Sequence, residues 1–120
     1  MDIRRTLKIE VDGDPSRLEL ILKAINAPNR LRILHFLSDK VASVNEIAQA
    51  LDLPMSTAAL YIELLEESGL IYTELEPASR GQRKVCTRLY DQVIFDFAST
   101  RLSLQEPVEG QSGFRCDTLS

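Results

Sequence analysis

The 120-residue chain has no tryptophan, and aromatic residues make up only 6% of it. Aromatic side chains carry much of the energetics of large cores. Their scarcity implies a small, aliphatic core, or one completed by a second subunit. Cysteine is equally sparse. Cys86 and Cys116 do not make the disulfide framework of a small secreted scaffold, so two reduced thiols in a cytosolic protein are expected. The single histidine, His35, has no second His or Cys at ligand spacing, and no metal site is expected. No apolar run reaches the length of a membrane span. Residues 1–10 hold two Arg, one Lys and two acids, with no apolar stretch of a signal peptide. The expected compartment is the cytoplasm, with no membrane partner.

Catalytic motifs are missing too. There is no G-x-S-x-G turn, no phosphate-cradling G-x-x-x-x-G-K and no G-x-G-x-x-G. Glu63, Glu66 and Glu67 are close in sequence, but nothing points to the apolar cleft that would raise one of their pKa values for acid catalysis. A non-enzyme without a cofactor is the expectation. What is present is ordinary for one soluble globular domain: 44% hydrophobic and 27% charged residues.

The net charge is −4, yet the charges are segregated. Residues 78–90 contain Arg80, Arg83, Lys84 and Arg88 and no acid, whereas residues 54–71 contain three glutamates and no cation. Placement matters more than the total for a polyanionic partner.

Along the chain, residues 3–11 alternate Leu7, Ile9 and Val11 with Thr6, Lys8 and Glu10, a short strand or a loose arm. Asp14-Pro15 caps a first helix bearing Leu18, Ile21, Leu22 and Ile25. Pro28 interrupts it and starts a second helix, with Leu31, Ile33, Leu34 and Leu37 inward and Arg30 and Arg32 pointing elsewhere. Ser43-Val44-Asn45-Glu46 is a capping box opening a short helix. After Asp52-Leu53-Pro54 comes a helix burying Ala58, Ile62 and Leu65, ended by Gly69. Residues 70–75 and 84–89 read as two strands, with residues 76–82 as the tip between them. A last helix from Tyr90 or Asp91 would carry Val93, Ile94, Phe97 and Ala98 on one face. Helices meeting at short turns, followed by a cationic β-ribbon, give an α+β, mainly α fold: a winged helix-turn-helix with a β-hairpin wing. The expected organisation is residues 1–14 as strand or arm, 15–102 as the winged domain and 103–120 as a flexible tail or linker.

Two stretches carry a family resemblance. L-K-A-I-N-A-P-N-R-L-R-I-L (residues 22–34) resembles the opening helix of ArsR-type winged-helix transcriptional regulators. Residues 51–71, ending L-L-E-E-S-G-L-I, resemble their helix-turn-helix and the strand that follows. The similarity spans about residues 17–97. It implies a cytoplasmic, usually dimeric repressor of double-stranded DNA. In the family the exposed side of the third helix enters the major groove, the wing touches backbone or minor groove, and terminal helices form the dimer. Carried over by position, the DNA-facing residues are Met55, Ser56, Thr57, Ala59, Leu60 and Glu63, with Tyr61 beside them. Arg80, Arg83 and Lys84 of the wing would meet phosphates, each contact releasing counterions. A homodimer through Leu18, Ile21, Val93, Ile94 and Phe97 would match a palindromic operator.

The chain departs from the family pattern where bases would be read. Members commonly have Ser at the position of Ala59, a hydrogen-bonding residue at Leu60, His at Tyr61 and Lys at Glu63. No Arg, Lys, Asn or Gln stands on that face to make a bidentate base contact. DNA binding is expected to lean on the wing, the Ser56 and Thr57 hydroxyls and DNA shape. Metal sensing in the family uses paired thiolates or a His/Asp/Glu cluster on the last helix. Residues 46–53 contain no Cys and residues 91–104 no His, so that role does not transfer, and the effector is unassigned. Cys86, between Lys84 and Arg88, is either a buried thiol or a redox switch made acidic by those cations. Two other functions fit the residues: a winged helix used for protein contacts without DNA, and the DNA-binding half of a longer ligand sensor.

Overall fold

The capping signals place the helices where the sequence puts them. In the computed structural model, which describes residues 4–98, α1 runs over Pro15–Ile25. The Asp14 carboxylate accepts the Ser16 N–H at 3.0 Å and Pro15 fills the first turn. Pro28 forces Ala27 into extended backbone, and α2 restarts over Pro28–Phe36. Arg30 does not simply point away. Its guanidinium donates to the carbonyls of Ala24 (2.8 Å) and Lys23 (3.0 Å), closing the end of α1 that the proline left without donors. The capping box opens α3, Val44–Ala50: Ser43 Oγ accepts the Glu46 N–H at 3.1 Å and Glu46 Oε1 accepts the Ser43 N–H at 2.8 Å.

After a turn with Asp52 at positive φ comes α4, Met55–Glu67. Its end is tied by the Leu70 N–H on the Leu65 carbonyl (3.2 Å) and by Ser68 Oγ donating to the same carbonyl (2.7 Å). Gly69 supplies the left-handed residue this closure needs, at φ 83°.

Strands β3 (Ile71–Pro77) and β4 (Gln82–Arg88) form the antiparallel wing, with the two-residue β2 (Ala42–Ser43) on the other edge of β4. The tip is shorter than the sequence suggests. Ala78 N–H donates to the Gly81 carbonyl at 2.9 Å, and pairing runs out to Pro77↔Gln82.

The core gathers all four helices and the base of the wing. Ile21, Ile33, Ile47, Ala58, Ile62, Leu65 and Cys86 have no exposed surface. Leu31, expected inward, lies half exposed on the solvent side of α2, as does Leu22 on α1.

The C-terminal part differs most from expectation. Residues 92–96 form strand β5, Gln92–Asp96, not a helix. It pairs in parallel with β1, Thr6–Glu10, in register from Thr6↔Gln92 to Glu10↔Asp96. Val-Ile-Phe is a strand-favouring run, and its alternation shows in burial: Val93 and Phe95 pack on the core beside Leu7 and Ile9, while Ile94 faces out. Asp91 caps no helix. Its carboxylate takes the Arg5 N–H (2.8 Å) and the Arg88 guanidinium (2.7 Å), which fixes the start of the pairing. Thr6–Glu10 are therefore held to the domain as a strand rather than hanging as a loose arm. The expected tail, residues 103–120, lies outside the described residues, as do Cys116 and residues 99–102 of the expected domain.

Two outcomes test this packing. Ile62→Ala should lose about 2–5 kcal/mol in denaturant unfolding, the range for a cavity at a fully buried aliphatic side chain; a loss under ~1 kcal/mol would contradict the burial. The second concerns acid. Backbone N–H groups of Ser43, Arg5 and Ala98 hold Glu46, Asp91 and Asp96 below their ordinary carboxylate values, and the Thr73 hydroxyl does so for Glu66. Depressed native values stabilise the fold above the unfolded-state pKa, and this is lost as pH falls through the native values. The melting temperature should therefore hold on acidification towards the ordinary carboxylate range and drop below it, as followed by circular dichroism. Equal melting temperatures at pH of about 6 and about 3 would contradict the assignment.

Candidate nucleic-acid interface

Burial of one side of α4 decides what its other side presents. Ala58, Ile62 and Leu65 are fully buried. The 3.6-residue period then turns Met55, Ser56, Ala59, Leu60 and Glu63 outward as one continuous stripe, all exposed. Met55 and Leu60 keep about half their surface in water, at 50% and 53%. Thr57 is half-buried at the edge of the stripe. Tyr61 is half-buried as well, and the Arg30 guanidinium stacks 5.1 Å from its ring centre. The structure thus brings five of the seven expected α4 residues onto one open surface and leaves Thr57 and Tyr61 at its margin.

The wing is fixed to α4 through one carboxylate. Glu66 accepts the Thr73 hydroxyl at 2.6 Å and pairs with Lys84 Nζ at 3.3 Å. The basic stretch therefore stands beside the helix, but its charges are not all free. Arg88 donates to the carbonyls of Leu34 and Ser38 at the end of α2 and pairs with Asp91 at 2.7 Å, so it is a structural residue. Arg83 lies opposite Glu76 in the hairpin register and pairs with it at 3.4 Å. Opposed residues of an antiparallel pair share a face. Arg83 with Glu76 and Lys84 with Leu75 therefore occupy the two opposite faces of the ribbon. Among the described residues Arg80, at the exposed tip, makes no ion pair.

Glu74 and Glu76 of β3 are residues that a count over 78–90 missed. The signal was in the sequence: a hairpin turning at Gly81 folds T-E-L-E-P back against Q-R-K-V. The charge segregation seen along the chain is partly cancelled across the strands.

Cys86 is not a poised thiolate. Lys84 pulls its pKa down, but burial outweighs this and pushes it up to about 11. The side chain is core. His35 is exposed near the end of α2. Among the described residues no three His, Cys, Asp or Glu side chains cluster as metal ligands would, and no helix is long and apolar enough to cross a membrane.

Of the residues expected at a dimer contact, Ile21 is fully buried within the chain, because it faces the core shared with α4 and not the surface. Leu18 and Val93 are half-buried, and Ile94 and Phe97 are exposed. The helical stripe that would have joined the last three does not exist, since residues 92–96 are a strand.

A helix-turn-helix domain family matches residues 25–74, from the last residue of α1 into β3. Comparison with curated proteins gives no match. Among solved structures, an ArsR family transcriptional regulator is 30% identical, with a TM-score of 0.55 over 64% of this chain and 75% of its own. Reduced HlyU from Vibrio cholerae is 26% identical, with a TM-score of 0.52 over 75% of this chain and 81% of its own. A homodimeric winged helix-turn-helix DNA-binding domain from Mycobacterium bovis shares the fold at 23% identity, with a TM-score of 0.54 over 62% and 65%. The helix-turn-helix match, the wing folded beside it and the 30%-identical regulator agree: the chain belongs to the ArsR-type winged helix-turn-helix family of DNA-binding transcriptional regulators, which are not enzymes.

Proposed function

We propose that this chain is a sequence-directed repressor that binds duplex DNA as a homodimer. The outward stripe of α4 enters the major groove, and the wing tip meets the sugar-phosphate backbone. The observation that carries the reading is the Glu66 clamp, which holds the wing beside α4 with Arg80 projecting at its tip. Met55, Ser56, Thr57, Ala59, Leu60 and Glu63 supply the groove surface, with Tyr61 beside them, and Arg80, Arg83 and Lys84 supply the phosphate contacts. Repression follows from occupancy of the operator. Metal sensing is no part of the proposal. A cytoplasmic location follows from the same role.

The dimer is supported by the homodimeric relative from Mycobacterium bovis. With Ile21 buried, Ile94 and Phe97 remain as the open apolar residues of the expected contact, Phe97 with 84% of its surface exposed.

One observation favours a second reading, a winged helix that contacts protein instead of DNA. Glu63, next to Leu60 on the outward stripe of α4, is an exposed acid, and Leu60 and Leu75 are over half exposed. One titration separates the two. Anisotropy with a labelled duplex should show binding that weakens steeply with salt. Arg80→Ala should flatten the log–log salt slope by about one. No binding to any duplex at low salt would favour the protein-contact reading, whereas a slope unchanged by Arg80→Ala and Arg83→Ala together would remove the wing from the DNA contact. For the dimer, sedimentation should show the chain at twice its monomer mass, and Ile94→Asp with Phe97→Asp should give a monomer. A wild-type chain that sediments as a monomer at tens of micromolar would contradict it.

A further inference from the structure

We propose that α4 reads the 5-methyl groups of thymine, using Met55, Ala59 and Leu60 as an apolar ruler in the major groove. The inference rests on the DNA-binding reading above and names what that surface recognises. Met55 and Ala59 are four residues apart, and Leu60 stands four after Ser56, so the three apolar side chains and one hydroxyl share the outward stripe.

Among the described residues Met55 and Leu60 keep about half their surface open, and no neighbouring side chain on α4 can make a bidentate hydrogen bond to a purine. Its thirteen residues, Met-Ser-Thr-Ala-Ala-Leu-Tyr-Ile-Glu-Leu-Leu-Glu-Glu, include no Arg, Lys, Asn or Gln. The major-groove edges of base pairs offer donors, acceptors and a single apolar group, the thymine C5 methyl. A methyl is the one feature there that Leu60 and Ala59 match. Placed against the N7 and O6 of guanine, the same side chains would strip water from acceptors and return no hydrogen bond. The stripe therefore discriminates in both directions, by favourable apolar contact with thymine and by an unpaired polar edge elsewhere. Ser56 is the exposed hydroxyl within the stripe, and Glu63, at its far end, can accept from a cytosine amino group.

The test uses the full chain. A duplex is selected from a random library at about 50 mM salt, where backbone contacts are strongest. Its affinity is then measured by anisotropy with each thymine replaced in turn by deoxyuridine, which removes only the methyl. At two or more adjacent positions of each half-site the affinity should fall by about 3- to 5-fold per methyl. Replacing cytosine by 5-methylcytosine in a C·G pair placed at those positions should recover part of the loss that the unmethylated C·G pair causes. In Leu60→Ser the thymine-to-uracil ratio at one of those positions should fall to about one. Because Leu60 is exposed, this variant keeps the core intact.

Equal affinity for thymine and uracil duplexes at every position would overturn the methyl readout and leave DNA binding standing. A thymine preference that persists undiminished in Met55→Ser, Ala59→Ser and Leu60→Ser would overturn its assignment to α4. Failure to bind any duplex at that salt would overturn this inference together with the DNA-binding reading.

Discussion

The burial of Ala58, Ile62 and Leu65 fixes the rotation of α4 about its own axis, and the rest of the interface follows from that rotation. A helix with three fully buried positions at i, i+4 and i+7 has one way to face the core. Its opposite side, from Met55 to Glu63, is then given to whatever lies outside. The Ser68–Gly69 closure ends the helix and turns the chain directly into β3, while Glu66, the last residue but one of α4, reaches Thr73 and Lys84. Core packing thus sets the outward stripe of α4, and Glu66 ties the wing beside it.

Electrostatics in this chain are thinner than its basic stretch suggests. Pairing across the hairpin sets Glu76 against Arg83, Lys84 leans on Glu66, and Arg88 is spent on the end of α2. Exposed pairs of this kind add little stability, but each engaged cation has less to offer a phosphate. Arg80 stands apart at the tip. In a family member with net charge −4, the proposed DNA reading leans on shape and apolar contact, with modest help from charge.

The helical half of the fold was legible because its signals are local. Asp14-Pro15, Pro28, the Ser43/Glu46 box and Gly69 each act within a few residues, and each sits where it was expected. Contacts between distant segments were not legible. Val93, Ile94 and Phe97 fit a helical face as well as Val93 and Phe95 fit a strand. The choice was made by β1, more than eighty residues away, through Asp91 and Arg5. The role of Arg30 was hidden for a similar reason, since it serves carbonyls of the preceding helix. Cys86 looked activated because its neighbours in sequence are cations; the strands on both sides of β4 bury it instead. Of the interface, the outward stripe of α4 could be read from periodicity, whereas the neutralisation of the wing required the hairpin register.

The central claim is that α4 and the wing tip engage one duplex together. Backbone amide chemical shifts of the labelled chain, followed during titration with a selected duplex, test it most directly. The account predicts that residues 55–63 and residues 78–84 shift in the same titration, with the same midpoint, while the β1–β5 pair stays unperturbed. Shifts in only one of the two segments, or two separate midpoints, would contradict it.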